Sequence, residues 1–350
     1  MRSPVERYDR QRRVLNGAAV DNLWAQTSVL LVGVGGVGSP LAQMLHRSGL
    51  GQLTLADGDR VQTTDLHRQI LYSDTDAKAG TPKVRAAARF LENQGGRCVV
   101  EAYEGNLTPR NAVDLFSGHD VVIDATDHIA ARSLIQNISL QTGIGWIHSA
   151  AIADRWVAAS FNPPGSPCFH CWVDPRLDQY PLGTCETEGV LPAACFAAAS
   201  AVFRLLTESL RESSTKVSFP IHTRSILRGS LTEGESWIEL TGDPSCPTCS
   251  DRGRSSHSSG MKSGTSAHPI RRLCGSGSLE TWIDEDLDQI EATLQQRNPA
   301  ETYSRNPWSV RIEDPAGLII CYGDGRALIT GNLALDETRA KERLAQILDH

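Results

Sequence analysis

The chain has 350 residues, a mass of 38.0 kDa and a net charge of −7, which suffices for two or three domains and excludes a small disulfide scaffold. This acidic balance excludes a general nucleic-acid binder, and the most apolar run, residues 193–206, is too short for a membrane span and contains Arg204. The N-terminus enters charged residues without an apolar signal segment, so we expect a cytoplasmic, reducing location with no nucleic-acid or membrane partner. The nine cysteines are then candidates for ligands, nucleophiles or core residues rather than disulfides.

Apolar strands and helix patterns alternate through the first part of the chain. Strands are predicted at residues 29–33, 52–56, 98–103 and 121–123, and helices at residues 39–46, 82–91 and about 109–116. This alternation predicts an α/β fold with a Rossmann-like, doubly wound, mainly parallel sheet.

Beyond residue 144 the pattern changes. Short strands (146–152 and 157–161) precede a Pro/Gly/Cys-rich segment, a long apolar helix (193–211) and strand-like sequence at 216–240. Residues 250–269 are rich in Ser and Gly and are predicted to be a flexible linker between a domain at 1–249 and a small α/β tail at 270–350. In the tail we expect a helix over 279–297, two strands around Gly325 and a helix over 336–348.

A glycine loop joins the first strand to the first helix of this pattern. Gly33, Gly35, Gly36 and Gly38 would let backbone N–H groups approach a phosphate at the positive end of that helix. Asp57 follows Gly36 by 57 − 36 = 21 residues, where doubly wound folds place the acid that binds a ribose hydroxyl. The loop alone also fits a nicotinamide dehydrogenase, or tight strand–helix packing without a ligand.

Two C-x-x-C pairs indicate a metal site. Cys168-Phe-His-Cys171 and Cys246-Pro-Thr-Cys249 together supply the ligands of a closed, tetrahedral, structural Zn²⁺ site. His170 lies between two of these ligands and is interpreted as a neighbour. The alternative is that the cysteines are unrelated core residues.

The segment Asp57-Gly-Asp59-Arg60-Val61-Gln-Thr-Thr64-Asp65-Leu66-His67-Arg68-Gln69 is the most specific motif of the chain. It occurs in order with Arg7-Tyr8-Asp9-Arg10-Gln11, the glycine loop, Gly80-Thr81-Pro82-Lys83 and Asp124-Ala125-Thr126-Asp127. In these motifs the chain resembles the ThiF/MoeB/HesA family of adenylyltransferases, the bacterial relatives of ubiquitin-activating enzymes. The resemblance implies a homodimer with ATP, Mg²⁺ and Zn²⁺ as cofactors. It would adenylate the C-terminal carboxylate of a small ubiquitin-like or sulfur-carrier protein ending in Gly-Gly.

The resemblance also implies roles for individual residues. Arg68 and Lys83 would neutralise the triphosphate, a task that suits their fixed positive charge. Arg10 would enter the partner subunit's site, Asp57 would hold the ribose, and Asp127 would position Mg²⁺ or the attacking carboxylate. The nucleotide-binding set implied in full is Gly33, Gly35, Gly36, Gly38, Asp57, Asp59, Thr64, Asp65, Leu66, His67, Arg68, Gln69, Lys83, Asp127 and His128.

The chain departs from the family pattern at two of these positions. Asp65 stands where the family usually has Asn, and His128 follows Asp127 where Asn is usual. A carboxylate beside a triphosphate would repel it unless that carboxylate binds a metal or a proton. We therefore expect the nucleotide affinity or metal dependence to differ from those of relatives.

Cys185 matches the cysteine of the family's crossover loop. There a thiolate could attack the acyl-adenylate or assist sulfur transfer from a donor protein, although Cys185 could also be a spectator. Cys98 and Cys195 are expected in the core. Cys321 begins a segment that resembles a rhodanese loop, but a hairpin turn is favoured.

Three other functions stay open on the sequence. They are activation of a ribosomal peptide or small-molecule carboxylate, a non-catalytic scaffold of the same fold, and a nicotinamide dehydrogenase.

Overall fold

The structure is a computed structural model. It describes residues 7–14, 18–127, 129–163, 167–173, 188–212, 225–246, 248–250, 271–272, 278–283, 285–297, 301–306, 309–323 and 325–348. These residues divide into two compact units, one within 7–250 and one within 271–348. The predicted linker at 250–269 lies outside the described residues except for Ser250, so the proposed domain boundaries remain predictions.

The first unit is built on an eight-stranded sheet with the order β3-β2-β1-β4-β5-β6-β7-β8. The strands are β1 (Ser28–Val32), β2 (Gln52–Asp57), β3 (Val99–Glu104), β4 (Val121–Asp124), β5 (Trp146–Ile152), β6 (Arg155–Phe161), β7 (Ser225–Ser230) and β8 (Gly234–Glu239). The helices are α1 (Asp9–Val14), α2 (Ala18–Gln26), α3 (Gly38–Arg47), α4 (Asp74–Ala79), α5 (Lys83–Glu92), α6 (Ala112–Phe116), α7 (Ile129–Thr142), α8 (Phe169–Trp172) and α9 (Pro192–Glu212). Strands β1 to β5 pair in parallel and β5 to β8 pair antiparallel. The predicted Rossmann-like fold is confirmed.

The carboxyl ends of β1, β2 and β4 meet at one edge of this sheet. Val32 pairs with Ala56 on one side and with Asp124 on the other. The chain runs from β1 outward through β2 and β3 and then returns to place β4 on the opposite side of β1. Such a reversal opens a crevice at the strand ends, which is where ligands bind in doubly wound sheets.

Helix α9 is the apolar helix predicted from the sequence. Residues Pro192–Arg211 are long and apolar enough to cross a membrane by composition, yet Ala194, Ala198 and Val202 are fully buried. The helix packs on β5, β6 and α3, so its apolar face forms part of the core of the first unit.

In the described residues, the second unit consists of a six-stranded antiparallel sheet, two α-helices and a short 3₁₀ helix at Gly331–Leu335. Its sheet order is β11-β12-β13-β14-β10-β9. The elements are β9 (Arg271–Arg272), β10 (Leu279–Trp282), α10 (Leu287–Arg297), β11 (Tyr303–Asn306), β12 (Ser309–Asp314), β13 (Gly317–Tyr322), β14 (Arg326–Ile329) and α11 (Glu337–Leu348).

The predicted helix over 279–297 is wrong in its first half. Residues Leu279–Trp282 form β10, whose backbone pairs with β14, and α10 begins only at Leu287. The start of the helix is set by Asp286, whose Oδ1 accepts from the Gln289 N–H at 2.8 Å, while the Gln289 Oε1 accepts from the Asp286 N–H at 2.9 Å. This reciprocal pair is a capping box, which satisfies the exposed N–H groups of a first turn.

The hairpin prediction around Cys321 is confirmed. Cys321 is fully buried in β13, and the turn to β14 is closed by a 3.0 Å bond from the Gly325 N–H to the Tyr322 carbonyl. Gly325 has a φ of +86°, a conformation that favours glycine. A buried sulfur in a sheet does not form a rhodanese loop.

Candidate active site

The glycine loop connects β1 to α3 at the crevice. Gly33 has a φ of +90°, and a Cβ there would lie 2.6 Å from the Ala125 carbonyl oxygen; a Cβ on Gly38 would lie 2.1 Å from the Gly33 oxygen. These two glycines are therefore required by packing between the loop and the end of β4. At Gly36 a Cβ would come within 2.9 Å of the Cys195 sulfur, whereas at Gly35 the nearest atom is 3.8 Å away. At Gly35, therefore, packing within the protein does not require glycine.

Asp57 ties the end of β2 to the glycine loop. One carboxylate oxygen accepts from the Val34 N–H at 2.7 Å and the other accepts from the Asp59 N–H at 2.8 Å. Burial raises the pKa of Asp57 and the charge of Asp59 raises it further, whereas Lys83 and these two N–H donors lower it. Tyr72, which the sequence did not single out, donates its hydroxyl to the Val34 carbonyl at 2.6 Å and so holds the same residue of the loop.

Lys83 begins α5 and its ammonium is almost fully buried. Its Nζ lies 3.0 Å from Asp59 Oδ2 and 3.8 Å from Asp65 Oδ2. Burial lowers the pKa of Lys83, but the carboxylates of Asp59, Asp57 and Asp65 outweigh this cost, so the net shift is upward. Lys83 is therefore a permanent cation at the edge of the sheet.

Asp65 is the centre of a network that joins the predicted cations. Its Oδ1 accepts from Gln69 Nε2 at 2.7 Å and lies 3.3 Å from Arg68 Nη2, and its Oδ2 accepts from the Gln62 N–H at 3.1 Å. Asp65 is buried. The carboxylate that departs from the family pattern is thus balanced by Lys83 and Arg68, and it also caps the short 3₁₀ helix Thr63–Asp65.

The structure brings some of the remaining predicted residues to this edge and leaves others apart. Arg68 donates from Nη1 to the Thr64 carbonyl at 2.8 Å, and the exposed His67 ring lies 3.0 Å from the same oxygen. Leu66 follows the 3₁₀ helix and Asp127 is exposed beyond the end of β4. Arg10 is exposed on α1, and no hydrogen bond or ion pair joins it to the described part of the chain. His128 and Cys185 lie outside the described residues.

A buried acid–histidine pair lies behind the end of β4. His148 Nδ1 is 2.7 Å from Asp124 Oδ2, and both side chains are buried. Burial raises the pKa of Asp124, but the bond with His148 and the charge of Arg132, 3.5 Å away, outweigh it and leave that pKa below its usual range. Asp124 belongs to a motif that the sequence singled out, whereas His148 belongs to none. The sequence signal that could have identified His148 is a histidine within a mainly apolar strand.

Four cysteine sulfurs form a second site. Those of Cys168, Cys171, Cys246 and Cys249 lie within 4.8 Å of one another and could hold a metal ion. The Cys168–Cys246 and Cys171–Cys249 sulfur distances are 3.7 and 3.4 Å, close to the tetrahedral edge of about 3.8 Å expected for metal–sulfur bonds of about 2.3 Å. Burial raises the pKa of Cys168 and the other sulfurs raise it further, a cost that a bound cation offsets.

His170 lies beside this site and not among its ligands. Its ring nitrogens lie 2.7 Å from Thr248 Oγ1 and 3.2 Å from Ser133 Oγ. The prediction that His170 is a neighbour agrees with this position.

These features define a class of protein: a Rossmann-like nucleotide-binding domain with Arg and Lys at its crevice and a four-cysteine cluster beside it. The model of the ThiF family matches residues 8–233. The chain belongs to the ThiF family.

Relatives and solved structures agree with this assignment. The chain is similar to the sulfur carrier protein ThiS adenylyltransferase of Bacillus subtilis, 26% identical over 96% of this chain and 97% of that protein. It is also similar to the SAMP-activating enzyme E1 of Haloferax volcanii, 29% identical over 64% of this chain and 81% of that protein. The structure of E. coli MccB with MccA-N7isoASN matches 69% of this chain and 74% of that chain with a TM-score of 0.59; at 19% identity it supports the fold alone.

Proposed function

We propose that this chain is an ATP-dependent adenylyltransferase that activates the C-terminal carboxylate of a small ubiquitin-like or sulfur-carrier protein. The observation that carries the proposal is the meeting of Arg68, Lys83 and the glycine loop at the crevice of a ThiF-family fold. The match to the Bacillus subtilis enzyme supports it further, because it extends over nearly the whole of both chains.

The chemistry assigns a task to each group. The substrate carboxylate attacks the α-phosphorus of ATP, the bond to the pyrophosphate oxygen breaks, and an acyl-adenylate and pyrophosphate form. Negative charge builds on the departing pyrophosphate, and preorganised cations in a crevice with little water stabilise it strongly. Arg68 and the buried Lys83 supply these cations, Asp57 would bind the ribose, and Asp127 would hold Mg²⁺ on the phosphates.

Two further elements of the proposal concern Arg10 and Cys185. Arg10 protrudes from α1 and would enter the site of the partner subunit in a homodimer. After adenylation, the Cys185 thiolate would attack the acyl carbon of the acyl-adenylate to form a thioester with release of AMP, or it would assist a sulfur donor. A cytoplasmic location accompanies this role.

We also propose Zn²⁺ as the occupant of the four-cysteine site. Four sulfur ligands at tetrahedral spacing leave no open position, which is typical of a structural zinc ion. Zinc would then fix α8 to the chain around Cys246 within the first unit.

Pyrophosphate exchange into ATP, with Mg²⁺ and with or without a small ubiquitin-like protein ending in Gly-Gly, tests the proposal. We expect exchange that depends on the small protein and falls by about 100-fold or more in Arg68→Ala. Arg85→Ala is the matched control, because Arg85 lies exposed on α5 and pairs only with Glu104 among the described residues, at 3.3 Å. Equal exchange in wild type and Arg68→Ala would contradict the proposed role of the crevice.

The same assay separates the alternatives. Exchange that requires a ribosomal peptide or a small carboxylic acid in place of the carrier would assign the chain to that substrate class. Nucleotide binding without exchange for any carboxylate would indicate a non-catalytic scaffold.

A further inference from the structure

The pair of His148 and Asp124 is a polar contact enclosed in an apolar core. Asp124 ends β4 and His148 lies on the adjacent strand β5, directly opposite in the parallel register. The 2.7 Å bond between Nδ1 and Oδ2 joins two buried groups. An ionised carboxylate can only accept, so the neutral imidazole must carry its proton on Nδ1 and donate it.

The other oxygen of Asp124 holds the turn that leads to Asp127. Asp124 Oδ1 accepts from the Thr126 N–H at 3.0 Å and from the Thr126 hydroxyl at 2.6 Å. The Thr126 carbonyl accepts from Arg132 Nη2 at 2.9 Å. The residue before Asp127 is thus held through its N–H, its hydroxyl and its carbonyl.

Three aromatic rings pack against the imidazole and restrict its orientation. The His148 ring centroid lies 6.2 Å from that of Trp146, 5.4 Å from Phe169 and 5.8 Å from Trp172. With its rotamer fixed by these neighbours, His148 fixes one oxygen of Asp124 and thereby the direction of the other.

We propose that His148 is a positioning residue for nucleotide–metal binding: through Asp124 and Thr126 it sets the turn that presents Asp127 to the metal-bound phosphates. The inference rests on the proposed function, since it assigns Asp127 to the Mg²⁺ of ATP. It predicts that His148 acts on the metal-dependent part of nucleotide binding more than on the chemical step.

Calorimetric titration of the full chain with ATP, in Mg²⁺ and in EDTA, tests this role. In His148→Leu the carboxylate of Asp124 loses a donor and can turn, so we expect the Mg²⁺-dependent affinity to fall about tenfold, with ATP binding in EDTA changed less than about twofold. His148→Asn places an amide N–H near the position of Nδ1 and should restore the affinity to within about twofold of wild type. The matched control is His119→Leu, because His119 is also hydrogen-bonded, to Thr54 Oγ1 at 2.8 Å, and is part-buried, but it precedes β4 at the opposite edge of the sheet.

Three results would overturn the inference. One is wild-type Mg²⁺-dependent affinity in a folded His148→Leu, and another is equal loss in the Leu and Asn variants. Should His148→Leu not fold, Thr126→Val removes the hydroxyl bond to Asp124 while keeping shape, and unchanged Mg²⁺-dependent affinity in that variant would also overturn it.

A spectroscopic measurement separates positioning from a purely structural role. We expect the ring ¹⁵N resonances of His148, assigned by comparison with His148→Asn, to shift when ATP binds with Mg²⁺ and to stay in place with ATP and EDTA. Absence of pyrophosphate exchange with intact Mg²⁺-dependent binding would defeat the proposed function and leave this inference standing, so the two failures are distinguishable.

Discussion

Asp65 binds the same two cations that a triphosphate would need. Its carboxylate lies 3.3 Å from Arg68 and 3.8 Å from Lys83, and Gln69 and the Gln62 N–H complete its bonds. The sequence led us to expect repulsion between this carboxylate and the nucleotide. The structure pairs Asp65 with both cations, so we expect this carboxylate to orient them and to compete with the phosphates for them.

Replacing Asp65 with Asn should therefore separate these two effects. Removing the charge frees Arg68 for the triphosphate and weakens the hold on Lys83, which keeps its ion pair with Asp59 at 3.0 Å, so we expect ATP to bind about threefold to tenfold more tightly. The weaker cap should lower the free energy of unfolding by about 1 kcal/mol. Calorimetric titration with ATP and urea unfolding measure the two quantities.

Asp76→Asn is the matched control for this substitution. Asp76 is also buried, also closes a capping box, with Ser73, and also pairs with an arginine, Arg89. It should lose stability to a similar extent without a gain in ATP affinity. An equal gain in both variants would show that the effect of Asp65 is not local.

The buried histidines should make the free energy of unfolding depend on pH. Burial lowers the pKa of His148, and Arg132 lowers it further, while Asp124 raises it; burial likewise lowers the pKa of His119. Below the usual value of 6.5 the unfolded chain binds protons that the folded chain does not, so the free energy of unfolding should fall as the pH falls. Each such histidine adds a slope of up to about 1.4 kcal/mol per pH unit.

Urea unfolding between pH 7.5 and 5.5 measures this slope. His148→Asn should reduce it while keeping a donor for Asp124, and His119→Asn should reduce it independently. A slope unchanged by the loss of His148 would contradict a neutral buried imidazole.

At the scale of elements, the connection from β1 to α3 depends on a backbone shape that only glycine allows. Gly33 combines a φ of +90° with a Cβ position 2.6 Å from the Ala125 oxygen. The loop therefore packs against the end of β4, and this contact fixes the ends of β1 and β4 next to each other at the crevice.

Gly33→Ala should lower the free energy of unfolding more than a substitution at a glycine that has a positive φ but no close contact. We expect it to lower the free energy of unfolding by about 3 kcal/mol or more, since backbone strain and a clash add together. Gly80→Ala is the control, because Gly80 has a φ of +57° with nothing within 4 Å of its Cβ position, and it should cost about 1 kcal/mol. Urea unfolding of both variants checks the difference, and equal costs would show that the contact with Ala125 relaxes freely.

At the scale of the whole molecule, the described residues form two compact units with separate cores. The four-cysteine site belongs to the first unit, whereas Cys321 is buried in the second. Removal of a metal ion should therefore act on one unit alone.

Scanning calorimetry of the full chain with and without a chelator tests this expectation. We expect two transitions, of which the chelator lowers one by about 10 °C or more. Cys171→Ser should lower the same transition and abolish its response to chelator, while Cys321→Ser should lower only the other. A chelator that leaves both transitions in place would contradict a structural metal ion.

The strands and helices of the first unit that the sequence predicts each follow a local signal, whereas α2, α4 and α7 were not predicted. The apolar runs at 29–33 and 121–123 read as buried strands, and the glycine loop between strand and helix marks the start of a doubly wound sheet. The first half of the predicted helix at 279–297 failed, because pairing with β14 outweighs the local pattern and the cap at Asp286 begins the helix later.

Sequence by itself determined the family, the doubly wound fold, the cysteine pairs and the residue types at the crevice, because each depends on spacing along the chain. Only the tertiary structure decided that Asp65 is paired with Lys83, and that His148 meets Asp124 behind the turn to Asp127. Each of these two contacts joins residues on different elements, and their separation along the chain does not reveal their distance in space. The contact of Asp65 with Arg68 is local, because the two residues are three positions apart. The contacts between elements form because the parallel register of β4 and β5 and the position of α5 place polar groups next to each other. Buried polar groups need hydrogen-bond or ion-pair partners, so these groups pair with one another.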